Sequence, residues 1–370
     1  MAKISCRVIA ESNSLHLQQI YTGLLMLHRA GVISLSQTVR KRPKKKVSGM
    51  SGPAGLSLIV NDRIRILYDT FDGWEIHDKA ALEAADYCFK RSYCPQRAAR
   101  LETAERRIYP LGLNYEVYPS GPDPFGVHRA LKLEALGDKL PQTVQSLSLL
   151  GRRRQISSVE NLCGVPDNEA SPKALFMVRA WNPDGNRRLS PALREERRYI
   201  NEMRGRCIAL LRSELGPRFY GGFIHDPYAR EHYPDLLLPS ADVGAKGRYL
   251  QLLRDYPICI ASTGLHGSIG WKFGEYVALS KAIVSEPLNY QVPGELSAGR
   301  HYLSFETPEQ CVERVVELME NQARRHRMMA NNFHYYHTYL RPDALVMHTL
   351  TTALCEEEHR RGSRALALSA

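Results

Sequence analysis

The 370-residue chain has no Cys-x-x-Cys pair, no apolar run long enough to cross a membrane and no internal repeat. Its eight cysteines are scattered singly, which argues against a zinc site or a disulfide framework and for thiols in a reducing compartment. The opening stretch MAKISCRVIA lacks a basic region followed by an apolar core, so no secretory leader is expected. Neither G-x-G-x-x-G nor G-x-x-x-x-G-K-[ST] occurs. The missing dinucleotide fingerprint disfavours a nicotinamide-dependent oxidoreductase.

What is present reads as globular: 44% hydrophobic and 24% charged residues, at a length that suits two domains. The net charge of +11 implies an anionic partner, with phosphorylated sugars, anionic lipid surfaces and nucleic acid all qualifying. Two basic runs stand out, RKRPKKK at residues 40–46 and RRR at 152–154. The simplest reading is a solvated loop. The functional alternatives are contact with an anionic acceptor or a membrane surface, and nucleic-acid binding or modification. Against the last, neither run interleaves aromatics as a base-stacking platform does.

The most informative stretch is residues 257–287, PICIASTGLHGSIGWKFGEYVALSKAIVSEP. A short apolar run, a glycine-punctuated turn, a helix-like segment and a second apolar run make one parallel crossover unit. Its loop then lies at the ligand-binding end of a sheet. Glycine turns let backbone N–H groups approach an anion, and a helix N-terminus adds partial positive charge. Lys272 and Glu275 are three apart and share a helix face. A cation and a carboxylate beside such a loop suit a ligand with phosphates and vicinal hydroxyls, a nucleotide-sugar. The plainer alternative is a buried crossover with an exposed ion pair.

The segment W-K-F-G-E-Y-V-A-L-S-K-A-I-V resembles the C-terminal-domain motif K-x-x-E-Y-x-A-x-G-K-P-V-V of group 1 GT-B glycosyltransferases. That resemblance implies an α/β chain of two Rossmann-like domains facing a central cleft. It implies that Lys272 contacts the donor diphosphate and Glu275 the ribose. His266, Gly267 and Ser268 then line the donor loop, and Arg179, at the end of the first C-terminal strand, meets the phosphates. Two departures stand: Gly267 occupies the place of the first of two glutamates, and Ser280-Lys281-Ala282 replaces Gly-x-Pro.

With that architecture, residues 1–165 form an acceptor domain, 166–340 a donor domain, and 341–370 a helix returning to the first. The linker is placed within 152–172, and a single helix is expected over 307–327. His16 lies just after the first strand, near where inverting GT-B enzymes carry a catalytic base; a structural histidine is the alternative. Asp69 and Asp72 follow a strand and suit acceptor binding or stabilisation of charge at the anomeric carbon. Trp74, Asn114 and Tyr115 are placed to face the acceptor. No Asp-x-Asp is present, so the metal-chelating device of GT-A enzymes is missing and a metal-independent reaction is expected; the resemblance implies retention, and His16 leaves inversion open. No cofactor is expected beyond the nucleotide-sugar co-substrate. A cytoplasmic location is expected, with attachment to the inner face of a membrane as an option.

Overall fold

The structure, a computed structural model, describes residues 3–40, 55–100, 107–134, 154–167 and 169–369. The basic stretch 41–46, Arg152 and Arg153 therefore lie outside the described residues, as do residues 49–54 of the Gly/Ser/Pro-rich turn expected over 49–55, whose last residue, Gly55, instead begins a strand.

The first strand, β1 (Ile4–Ala10), buries Cys6, Val8 and Ala10, the alternation of a strand covered on one face. The Ser14 hydroxyl then accepts from the His16 N–H and caps a single 3₁₀ turn. Helix α1 (Gln18–Arg29) follows and ends at Gly31, whose φ of 77° is left-handed. β2 (Ile33–Val39) runs parallel to β1. β3 (Gly55–Val60) and β4 (Ile64–Asp69) form a hairpin, its turn made by Asn61 and Asp62 at φ 51° and 54°. β5 (Tyr87–Lys90) and β6 (Arg107–Pro110) continue parallel to β4, and helix α2 (Pro124–Glu134) follows. The order is β2-β1-β3-β4-β5-β6, and only β3 runs against the rest. The carboxyl ends of the other five strands thus share one end of the sheet, where an open α/β sheet binds ligands.

The second sheet is built from β7 (Ala174–Val178), β8 (Phe219–Phe223), β9 (Ile258–Ala261), β10 (Ala282–Ser285) and β11 (Leu303–Ser304). All are parallel, in the order β11-β10-β9-β7-β8, so the winding reverses between β7 and β9. Every residue of β7, β9 and β10 is buried, which is why they read as unbroken apolar runs. Helix α3 (Pro191–Leu215) covers one face together with α6 (Pro308–Glu320) and α7 (Gln322–Tyr335); α4 (Lys246–Asp255) and α5 (Trp271–Ala278) cover the other. The helix expected over 307–327 is broken at Asn321 (φ −97°, ψ 84°). The Asn321 side chain accepts from the Arg324 N–H at 2.9 Å and starts α7 afresh, a local bond that competes with helix continuation.

The linker and the C-terminal helix both tie the two sheets together. Gly164, in the expected linker, donates its N–H to the Ala278 carbonyl at 2.9 Å, and Ser280 Oγ donates back to the Gly164 carbonyl at 2.8 Å. Helix α8 (Pro342–Ser369) brings Leu345, Val346 and Leu350 into the core of the first sheet. It crosses α1 so closely that a Cβ on Gly23 would overlap the Pro342 carbonyl. All eight cysteines are free thiols. Among the described residues no helix is long and apolar enough to cross a membrane.

Candidate functional site

The carboxyl ends of β7 and β9 diverge where the winding reverses, and one side chain holds them in place. Arg204 of α3 is 6% exposed and spreads its guanidinium over three loop acceptors. Nε donates to Ser262 Oγ at 2.9 Å, Nη1 to the Arg179 carbonyl at 2.7 Å and Nη2 to the Thr263 carbonyl at 3.0 Å. Burial lowers its pKa to about 10, against the opposing pull of Glu286. Glu286, just past β10, accepts from the Thr263 N–H at 2.7 Å. Burial raises its carboxyl above the ordinary range despite that bond.

The glycine loop turns on two successive left-handed residues, His266 at φ 61° and Gly267 at φ 65°. A left-handed histidine stores strain of order 1 kcal/mol, held here by the Tyr290 hydroxyl donating to its carbonyl at 2.8 Å. The Gly267 N–H donates to the Glu196 carboxylate at 3.3 Å, so a protein anion already sits on this amide. Ser268 is buried within its own loop and its carbonyl accepts from the Gly264 N–H. Arg179 projects an exposed side chain from the end of β7. A small cavity opens between this loop and the one after β10, lined among others by Ser262, Thr263, Ser268, Glu286 and Asn289.

Lys272 and Glu275 do not line that cavity; they face α4. Glu275 is 2% exposed and ion-paired to Lys246, while Lys272 Nζ stands 3.8 Å over the Tyr249 ring. Burial lowers the Lys272 pKa to about 8, partly opposed by Glu275. The packing of α4 on α5 thus brings two lysines and one carboxylate together, and Lys246, from α4, is the member that sequence reading missed.

The first domain meets this loop with its own polar cluster. Arg91, 5% exposed at the end of β5, is ion-paired to Asp72, and its Nη1 lies 3.3 Å from His16 Nδ1. Its Nη2 crosses to the Ile269 carbonyl at 2.7 Å. The His16 ring stands edge-on to Trp271, the first residue of α5, at 4.6 Å between centroids. A guanidinium can only donate, so His16 Nδ1 must accept, and a neutral ring then carries its proton on Nε2. Burial and the Arg91 charge both push the imidazole pKa below its ordinary 6.5. The unfolded ring takes up a proton near pH 6.5 while the folded ring resists, so its contribution to stability is lost as pH falls below 6.5. Urea midpoints at pH 7.5 and pH 5.5 should therefore fall less for His16→Asn than for the parent; equal losses would mean that the ring titrates freely.

The remaining residues singled out from sequence are placed as follows. The Asp69 carboxylate is committed to Lys90 at 3.3 Å and to the Phe71 N–H at 2.9 Å. Trp74 is buried beside Tyr93. Asn114 donates to the His16 carbonyl at 3.0 Å and to Gln19 at 3.2 Å, so it holds the His16 loop. Tyr115 has no exposed surface and packs where α5 presents Gly274. Thus His16 and Asp72 join the C-terminal loop, whereas Trp74, Asn114 and Tyr115 are buried. Among the described residues no group of three or more His, Cys, Asp or Glu side chains is placed to hold a metal ion.

No protein-family model matches the chain, and no curated protein matches it. Solved structures similar to it include a glycosyltransferase from Rickettsia africae at 9% identity and TM-score 0.42, covering 93% of this chain and 82% of that one. The pneumococcal O-GlcNAc transferase GtfA, solved with UDP and GlcNAc, is 9% identical at TM-score 0.41, over 76% of this chain and 49% of its own. Anabaena HepE, solved with UDP and glucose, is 9% identical at TM-score 0.36, over 93% and 97%. The chain spans about half the length of GtfA. Likenesses at this level leave the function to the geometry of the site itself.

Proposed function

We propose that the chain is a metal-independent GT-B glycosyltransferase that moves a hexose-type sugar from a nucleotide-sugar to an acceptor with retention of configuration. The supporting observation is the junction itself. The glycine loop and the start of α5, whose helix carries Lys272 and Glu275, abut the His16–Arg91–Asp72 cluster of the other domain. In this reading the C-terminal sheet holds the donor. Lys272 and Arg179 neutralise the departing diphosphate, and Glu275 takes the ribose hydroxyls once Lys246 yields. Preorganised cations act this way without reorganising during the reaction. Phosphate would also displace the Glu196 carboxylate from the Gly267 N–H.

His16 enters as a hydrogen-bond donor. Its Nδ1 lone pair is engaged by Arg91, and a proton on Nε2 leaves no acceptor to deprotonate an incoming hydroxyl. The departing diphosphate oxygen is then the natural acceptor for that proton, on the face from which it leaves, which favours retention. Closure of the domains over the donor would exclude water and limit hydrolysis. The chemistry and the net charge suit a cytoplasmic pool of nucleotide-sugar.

UDP, GDP and ADP, each titrated into the full chain, provide the test. A ligand at 100 times its dissociation constant stabilises by about 2.7 kcal/mol, so at least one should raise the melting temperature by several degrees. No response to any of them would overturn the proposal.

A further inference from the structure

Arg129, on α2, is 2% exposed, and its guanidinium carbon lies 3.6 Å over the Tyr21 ring. Among the described residues its Nε and Nη2 have no hydrogen-bond partner, and neither has the buried Nε of Arg154. Asp123 is shared between the two arginines, its Oδ2 lying 3.9 Å from Arg129 Nη2 and 3.6 Å from Arg154 Nη2. Neither distance is a hydrogen bond. The other Asp123 oxygen is taken by the Gly126 N–H at 2.7 Å. Among the described residues, Glu116 accepts from the Tyr118 hydroxyl at 2.9 Å, and the Glu11 charge acts on the Tyr21 phenol.

A buried guanidinium with two idle donors is costly unless something accepts from it. Here two guanidiniums converge on one carboxylate and leave three donor nitrogens without an acceptor among the described residues. Gly126 lets Asp123 and Arg154 come together against the backbone of α2, since a Cβ there would overlap both Asp123 Oδ2 and Arg154 Nη2. Two planar forks with spare N–H donors suit a tetrahedral oxyanion. The cluster also touches the His16 loop, because the Tyr21 hydroxyl donates to the Ser12 carbonyl at 2.8 Å. It therefore lies at the ligand-binding end of the first sheet.

We propose that Arg129 and Arg154 form a binding site for a phosphate-sized oxyanion in the N-terminal domain. Resting on the transferase reading, this makes the acceptor a phosphate-bearing molecule; the oxyanion site itself does not depend on that reading.

The test is titration of inorganic phosphate into the full chain, with UDP as the control ligand. Arg154→Gln, at a partly exposed position, should weaken phosphate binding ~10-fold or more while UDP affinity is unchanged. Arg129→Met should lose phosphate binding too, and its melting temperature without phosphate should equal or exceed that of the parent, because a half-paired buried charge has been removed. Equal stabilisation of the parent and Arg154→Gln by phosphate, or no stabilisation of the parent, overturns the site. Phosphate binding that survives the loss of any response to nucleoside diphosphates upholds the site and removes the transferase reading.

Discussion

Lys272→Ala is expected to cut sugar transfer ~10²–10³-fold while leaving the protein as stable as the parent, or more so. The first half follows from the role proposed for the amine: a preorganised cation facing the departing diphosphate, whose removal raises the barrier by about 3–4 kcal/mol. The second half follows from where the amine sits. It is buried enough to bring its pKa down to about 8, so folding gains little from holding the charge there. The same depression sets a pH signature. Above pH ~8 the free protein loses this cation, and kcat/KM should fall as pH rises through that value. Lys272→Arg keeps its charge across the range and should hold a plateau where the parent declines. Unchanged turnover in Lys272→Ala, or parallel pH profiles for the parent and Lys272→Arg, would take the phosphate role from this residue.

The crossover from β9 to β10 was legible because parallel strands covered on both faces leave unbroken apolar runs. Glycines then mark where the chain turns between them. Lys272 and Glu275 were found by helical spacing alone, yet spacing could not show what they face. Lys246 comes from another helix, 29 residues away in sequence, and only the packing of α4 on α5 brings it to Glu275. Lys90 and Arg91 fall in a candidate loop after a short strand, and nothing local marks them as buried, because charges are almost never fully buried unless paired. Their partners, Asp69 at the end of the neighbouring strand β4 and Asp72 in the loop after it, are themselves candidate site residues from sequence. For Asn114 and Tyr115, the approach of the chain to the junction was visible, but their burial depends on interdomain packing that no local pattern encodes. The break at Asn321 has no glycine or proline to mark it; its signal is an Asn side chain that caps the next helix.

Arg204 is the residue that sequence reading passed over at greatest cost. It sits in α3, whose sequence is so rich in Glu and Arg that it suggests a solvated face. Its position nonetheless falls in the buried stripe of Ile200, Cys207, Ile208 and Leu211, an arginine where an apolar residue belongs. A charge in such a stripe is retained only if something buried uses it, and here it fastens two strand ends to each other. Arg204→Met fits the stripe but frees Ser262 and the Arg179 and Thr263 carbonyls, and leaves Glu286 buried without its opposing charge. The expected loss is about 3–5 kcal/mol of stability, together with nucleotide binding. Arg204→Lys keeps the charge but cannot reach three acceptors at once, so it should recover much of the stability and little of the binding. Adding Glu286→Gln to Arg204→Met should return part of the stability, a coupling that a double-mutant cycle measures directly. Hydrogen exchange should rise across residues 262–270 in both single Arg204 variants. Nucleotide binding at parental affinity in Arg204→Met would show that the loop keeps its shape without the arginine, and that the β7 and β9 strand ends need no common brace.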